Sequence, residues 1–124
     1  MPGESLALGL VVEDDASVRQ TIRWALEDAG IVVRLARDGM EGLDQARREQ
    51  PGLVVLDVGL PRLSGDGFAD NFRRLYGGNV PILGITADGR AADKAQRIQA
   101  FAFIQKPFNV DDLVSVVREG LERH

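Results

Sequence analysis

Short apolar runs alternate along the chain with segments of helical period, and this alternation restricts the fold more than any other feature. The first run, Leu6–Val12, and the third, Leu53–Leu56, contain no charged side chain. A strand that is apolar on both faces is typical of a sheet buried between two layers of helices. The other predicted strands are Ile31–Ala36, Val80–Ile85 and Ala102–Gln105.

Each predicted strand is followed by a segment with helical features. In Ala16–Ala29, the apolar residues Val18, Ile22 and Leu26 share one face. In the last helix, which begins after Asn109 as its cap, Val110 is assigned to the buried face. The remaining predicted helices are Gly39–Gln50 with Met40 inward, a third marked by Phe68 and Phe72, and a weakly amphipathic fourth at Arg90–Ala100.

Five strand–helix units in series predict an α/β fold, a doubly wound five-stranded parallel sheet with five helices. The 124 residues suit a single domain over residues 1–124. The absence of Cys excludes disulfides and thiolate metal sites, and the formal net charge of −4 argues against direct binding of nucleic acid. There is no apolar stretch of about 20 residues and no secretory signal. We expect a cytoplasmic domain with no membrane association.

The residues that follow the predicted strands are those that can carry chemistry. Ligands in open parallel sheets bind beyond the carboxyl ends of the strands. Glu13 and Asp14 follow the first strand, Asp57 the third, Thr86 the fourth and Lys106 the fifth. Crowded carboxylates repel unless a hard cation such as Mg²⁺ joins them, and an ammonium and a hydroxyl suit phosphoryl oxygens. The pattern indicates phosphoryl transfer, with a carboxylate as nucleophile.

Each of these residues also has a structural interpretation. Glu13, Asp14 and Asp15 can cap the first helix, because acids favour a helix N-terminus. Lys106 can be a surface lysine, and Thr86 a strand-end cap. Asp57 is harder to explain in this way, because a lone acid at the end of an apolar strand is costly to bury without a partner.

Four motifs in order resemble the receiver domain of bacterial two-component response regulators, a flavodoxin-like fold. They are Val11–Asp15, Val54–Pro61 with Gly65, Ile85–Ala87 and Lys106–Phe108. The resemblance covers essentially the whole chain. It implies that the domain receives a phosphoryl group from a sensor histidine kinase or phosphotransfer protein and catalyses its own modification, without being a conventional enzyme.

The resemblance also assigns a phosphoacceptor and a metal site. Asp57 is the implied phosphoacceptor. Mg²⁺ is the implied cofactor, with Asp14 and Asp57 as ligands and Glu13 bound through water. The backbone carbonyl of Gly59 completes the implied metal site.

A second group of residues is implied to bind and sense the phosphoryl group. Lys106 and Thr86 hold its oxygens, and the small Ala87 leaves room for it. Pro107 follows a cis peptide bond in the family. Phe103 occupies the aromatic switch position and turns inward when Thr86 moves, which changes an output surface on the fourth helix, fifth strand and fifth helix.

Three questions stay open at this point. The downstream partner is a protein target or an output domain missing from this chain, and a homodimer is possible. The segment Gln99–Phe103 lacks the Gly-Ala turn that usually precedes the fifth strand. The alternative function is a pseudo-receiver, which uses the same fold as a protein-binding module without phosphorylation.

Overall fold

Five parallel strands form one sheet in a computed structural model that describes residues 7–59, 65–87 and 98–123. The strands stand in the order β2-β1-β3-β4-β5. In chain order, the elements are β1 (Leu8–Val12), α1 (Ala16–Asp28), β2 (Val32–Ala36), α2 (Gly39–Arg48), β3 (Leu53–Asp57), α3 (Gly65–Tyr76), β4 (Ile82–Thr86), β5 (Ala102–Gln105) and α4 (Val110–Arg123). Across these ranges, no helix is both long enough and apolar enough to span a bilayer.

Helices cover both faces of the sheet, so the chain has two hydrophobic layers. On one face α2 and α3 pack against the sheet, with Leu43, Phe68 and Phe72 among the buried side chains. On the other face α1 and α4 contribute Leu26 and Leu113. β1, β3 and β4 are buried along their whole length, which explains why their sequences are apolar on both faces.

The predicted doubly wound parallel sheet is confirmed. The structure shows four helices within the residues that it describes. The predicted fourth helix, Arg90–Ala100, falls mostly on residues 88–97, which lie outside the described part. The helix predicted as the fifth is α4. Its predicted cap is confirmed, because Asn109 Oδ1 accepts hydrogen bonds from the amides of Asp111 at 2.8 Å and Asp112 at 3.4 Å.

Two predicted buried residues are exposed instead. Met40 is 58% exposed, because α2 turns Gly39, Gly42, Leu43 and Ala46 toward the sheet. A Cβ on Gly42 would lie 2.9 Å from atoms of both Phe68 and Val12. The glycine therefore allows the close approach of α2, and an apolar pattern that ignores glycine misassigns the buried face. Val110 is 38% exposed because it is the first residue of α4 and lies at the edge of the packed face.

Candidate phosphoryl and metal site

Three carboxylates converge where β1 and β3 end. The two strands are neighbours, with Val12 paired to Leu56, so Glu13 and Asp57 come side by side at the carboxyl edge of the sheet. One carboxylate oxygen from each of Glu13, Asp14 and Asp57 lies within 4.8 Å of the others. Glu13 is fully buried and Asp57 almost so, whereas Asp14 faces solvent. The strand-end pattern therefore predicted residues that the fold does bring together.

Lys106, which follows β5, supplies a positive charge to the same cluster. Its backbone amide donates a hydrogen bond of 2.7 Å to the carbonyl of Thr86, which ties the end of β5 to the end of β4. Its side chain reaches across β4. Lys106 Nζ lies 2.8 Å from Glu13 Oε1 and 3.5 Å from Asp57 Oδ2. We call Glu13, Asp14, Asp57 and Lys106 the acidic edge.

Backbone amides hold the two buried carboxylates in fixed orientations. Glu13 Oε2 accepts from the amide of Asp15 at 3.0 Å, and Asp57 Oδ1 accepts from the amide of Gly59 at 2.9 Å. Asp15 itself caps α1, as one sequence interpretation expected, with its side chain accepting from the Val18 amide at 3.0 Å. The loops after β1 and β3 are thus shaped by the acids that they carry.

Arg19 supports this edge and was missed by the sequence analysis. Its Nη1 donates to the carbonyl oxygens of Glu13 at 2.9 Å and Asp14 at 3.3 Å. These bonds fix the backbone that carries two of the three acids. Arg19 lies off the apolar face of α1, one turn after the acidic triplet, and that spacing was the available signal.

Burial and contacts within the acidic edge shift the pKa values of Glu13, Asp14 and Lys106. Burial raises the pKa of Glu13 to about 7, with a further contribution from the charge of Asp57, and these effects outweigh the opposing contacts with Lys106 and the Asp15 amide. For Asp14, burial also acts to raise the pKa, but hydrogen bonding to Glu13 and Asp57 outweighs it, and the pKa is lowered overall. For Lys106, burial is likewise outweighed, by Glu13 and Asp57, and the pKa is raised. The Glu13 carboxyl therefore keeps its proton to a higher pH than an ordinary glutamate does.

The donor set fits a hard divalent cation. Three carboxylate oxygens stand close together, and Mg²⁺ prefers oxygen ligands and binds through one or two carboxylates with waters. A dication at this point would favour the ionised form of Glu13, whose pKa is raised by burial and by the charge of Asp57. Asp14, which is exposed, leaves the cluster accessible from solvent.

The remaining predicted site residues lie around this edge. Thr86 is buried at the end of β4, and Ala87 and Gly59 are exposed. The Lys106–Pro107 peptide bond is cis. Phe103 lies on β5 with 47% of its surface exposed.

Four residues before β5, Ile98–Phe101, form what we call the pre-β5 segment. Gln99 has a φ of 57°, a left-handed conformation that glycine adopts more readily than glutamine. Arg73 of α3 donates from Nη2 to the carbonyls of Ile98 at 3.2 Å and Gln99 at 3.0 Å. The turn therefore forms without the expected Gly-Ala pair, because a side chain from another helix holds it.

The ring of Phe101 packs against α4 on the other side of this segment. A Cβ on Gly120 would lie 2.6 Å from Phe101 Cζ and 2.6 Å from Leu53 Cδ1. Phe101 is partly buried and contacts the hydrophobic layer between the sheet and α1 and α4. Gly120 is thus the residue that makes room for the aromatic ring, and the sequence analysis gave it no role.

The pattern of one known family, described as the response regulator receiver domain, matches residues 10–118. The chain belongs to this family. Among curated proteins, this receiver domain is 36% identical over 116 residues to the response regulator MprA of Mycobacterium leprae and 38% identical to that of Mycobacterium sp. strain KMS. Each match covers 92% of this chain and 50% of the relative. The chain therefore spans about half the length of these relatives.

Solved structures agree with the fold. The chemotaxis protein CheY4 of Vibrio cholerae has a TM-score of 0.87 at 28% identity, with 94% of this chain and 99% of that chain covered. NtrX of Brucella abortus has a TM-score of 0.88 at 31% identity, with 96% of this chain but 28% of that chain covered. The receiver fold thus occurs both as nearly a whole chain and as a part of a longer one.

Proposed function

We propose that this receiver domain accepts a phosphoryl group on Asp57, with Mg²⁺ as cofactor and a sensor histidine kinase or phosphotransfer protein as donor. One observation carries the proposal. Oxygens of Glu13, Asp14 and Asp57 converge within 4.8 Å, beside an ammonium group 3.5 Å from Asp57 Oδ2. Phosphoryl transfer depends mainly on positioning and charge neutralisation, and this edge provides both.

Asp14 and Asp57 are the proposed carboxylate ligands of Mg²⁺, with Glu13 bound through water and the carbonyl of Gly59 completing the set. Mg²⁺ held by these residues would supply positive charge that offsets the negative charges of the nucleophile and the incoming phosphate. The full burial of Glu13 fits an indirect role, because its two oxygens already lie beside Lys106 Nζ and the Asp15 amide. Exposed Asp14 is the acid best placed to meet an ion from solvent.

Asp57 acts as the nucleophile in the proposed transfer. A carboxylate oxygen forms the new bond to phosphorus while the bond from phosphorus to the donor's histidine nitrogen breaks. The hydrogen bond from the Gly59 amide holds the carboxylate in place during this step. Lys106 then binds an oxygen of the transferred group in exchange for its contact with Asp57, and Thr86 binds another beside the small Ala87.

Asp57 is restored by hydrolysis. Water attacks phosphorus and releases inorganic phosphate, so the domain catalyses its own dephosphorylation. The domain is therefore not a conventional enzyme with a separate turnover substrate.

The proposed output signal begins with two side chains, Thr86 at the end of β4 and Phe103 on β5. Thr86 moves toward the phosphoryl group, and exposed Phe103 turns into the space that it vacates. This motion changes the surface formed by the predicted fourth helix, β5 and α4. The receiver of the signal is a downstream protein or an output domain in a longer polypeptide, and a homodimer through this surface is part of the proposal.

Intact mass spectrometry after incubation with acetyl phosphate and Mg²⁺ tests this function. We expect one added phosphoryl group, which is absent in Asp57→Asn and in a sample treated with chelator. If no adduct forms and beryllofluoride also fails to bind, the alternative of a phosphorylation-independent pseudo-receiver replaces this proposal. An adduct that persists in Asp57→Asn would place the phosphoacceptor elsewhere.

A further inference from the structure

The single tryptophan of the chain, Trp24, lies on the outer surface of α1 with 61% of its area exposed. Its indole is oriented by a neighbour. With the Gln20 amide turned so that its oxygen faces the ring, Trp24 Nε1 donates to that oxygen at 3.0 Å. A large, fixed and exposed aromatic side chain is the kind of residue that dominates binding at protein interfaces.

A groove of about 640 Å³ lies between the last turn of α1 and one face of α4. Its apolar lining comes from Ala25 and Ala29 on α1 and from Val110 and Val114 on α4. These side chains are small, so the two helices leave a channel where larger residues would fill it. We call this channel together with Trp24 the α1–α4 groove.

The rim of the α1–α4 groove is acidic. Four carboxylates, from Asp28, Asp111, Glu119 and Glu122, line the channel against one guanidinium, that of Arg118. Trp24 lies one helical turn before Asp28, so both occupy the same side of α1. A lysine or arginine placed there meets a carboxylate and an aromatic face together, and a cation favours both.

The charge of the rim also selects against other occupants. A second copy of this chain, docked through the same face, would bring two sets of carboxylates together. Nucleic acids and anionic membranes carry the same sign of charge as the rim. An apolar channel between acidic rims fits a helix with one small apolar face and cationic flanks.

The α1 side of the groove lies away from the acidic edge of the sheet, whereas its α4 side begins at Val110, four residues after Lys106. Ala25 and Ala29 lie 9 and 13 residues beyond Ala16, the first residue of α1, which places them about 14 and 20 Å along the helix. Binding there does not require the phosphoryl site to be occupied.

We propose that the α1–α4 groove binds a cationic amphipathic helix of a partner protein. The apolar face of that helix lies on Ala25, Ala29 and Val114, and its basic residues contact Asp28, Glu122 and the ring of Trp24. This inference is independent of phosphorylation at Asp57.

The test uses a synthetic Lys/Ala/Leu amphipathic peptide of about 18 residues, long enough to form a helix and free of aromatic residues. Binding is followed by Trp24 fluorescence and mapped by amide chemical shifts of the receiver domain. We expect saturable binding, with shifts confined to α1 and α4. The double variant Asp28→Asn/Glu122→Gln should weaken binding at least tenfold, and Ala29→Arg should abolish it by blocking the channel.

A matched pair of acids on the opposite layer separates this site from general charge attraction. Asp44→Asn/Glu49→Gln removes the same charge from the α2 side, where these acids pair with Arg47 and Arg34. We expect this control to bind the peptide within twofold of the parent, and a peptide with Glu in place of Lys not to bind. Equal weakening in both double variants, or shifts spread over the whole surface, would overturn the proposal. Thermal melting establishes that each variant is folded.

Discussion

The acidic edge and the pre-β5 segment flank the same sheet but are stabilised in opposite ways. At the acidic edge, like charges are buried together, and the pKa of Glu13 rises to about 7 as a result. At the pre-β5 segment, the one strained residue, Gln99, is held by hydrogen bonds from Arg73 and by the packing of Phe101. The first region keeps unfavourable contacts, which we propose serve phosphoryl transfer, whereas the second uses favourable contacts to hold a turn.

This difference predicts how the stability of each region responds to substitution. Removing a negative charge from the acidic edge should raise the stability of the metal-free protein, while it removes the proposed phosphoryl transfer. Adding volume to the pre-β5 surroundings should lower stability while the acidic edge keeps its chemistry. Four measurements test this contrast, and they are given in order of decreasing expected change in the free energy of unfolding.

The pH dependence of the metal-free protein should show the largest effect. The pKa of Glu13 is about 7 in the fold against an ordinary 4.5, so the folded state binds more protons between these values. The contribution of Glu13 to the free energy of unfolding is therefore fully present below about pH 4.5. It is lost as the pH rises toward 7, by on the order of 3 kcal/mol. Denaturant unfolding in the presence of chelator, from pH 4.5 to 8, measures this loss of stability. Glu13→Gln should flatten this part of the curve, and an unchanged slope in that variant would contradict the assignment.

Gly120→Val should be the largest steric perturbation near the pre-β5 segment. The new side chain meets Leu53 and the ring of Phe101, which a Cβ alone would approach to 2.6 Å. We expect a loss of about 2 kcal/mol. Gly78→Val is the matched control, because nothing lies within 4 Å of a Cβ there, and its effect should be much smaller. Phe101→Leu in the Gly120→Val background should recover part of the loss, and a lack of recovery would mean that the ring is not the obstacle.

Asp57→Asn should stabilise the metal-free protein near pH 8 by about 1 kcal/mol, because it removes one of three crowded charges. Millimolar Mg²⁺ should reverse the order, since binding to the native state alone stabilises the parent. Thermal melting with chelator, Mg²⁺ and Ca²⁺ measures both effects. Asp44→Asn, an acid on the surface of α2, serves as the control. A less stable Asp57→Asn in chelator would show that the acids are not in conflict.

Gln99→Gly should have the smallest effect, a gain of about 0.5 kcal/mol. Glycine adopts the left-handed conformation at 57° without steric cost, although it also loses more freedom on folding. Gln105→Gly, in the extended backbone of β5, should instead lower stability. Equilibrium unfolding measures the change in the free energy of unfolding for each variant. The two changes have opposite signs if Gln99 is strained, and the same sign if it is not.

The same contrast explains which features the sequence could predict. Parallel strands end at one edge of a sheet, so Glu13, Asp57 and Lys106 could be placed together from strand ends alone. The burial of each acid could not be predicted in the same way. Glu13 and Asp14 are adjacent in sequence, yet one is buried and the other exposed, and only the turn after β1 decides which.

Packing around glycine was not predictable from one element at a time. No packing partner was assigned to Gly42 or Gly120 from the sequence. Both are positions of close approach, and their partners, Phe68 and Phe101, come from other parts of the chain. Gln99 likewise adopts its conformation with the help of Arg73, which lies 26 residues earlier.

A metal-dependent phosphoryl site at Asp57 is best tested by amide chemical shifts during titration with Mg²⁺ and then beryllofluoride. Beryllofluoride stands in for a phosphoryl group on Asp57. The acidic edge predicts that Mg²⁺ shifts the amides of Asp14 and Gly59 first. Beryllofluoride should then bind only when Mg²⁺ is present and should shift Thr86 and Lys106. Binding of beryllofluoride without Mg²⁺, or binding that survives Asp57→Asn, would contradict a metal-dependent phosphoryl site at Asp57.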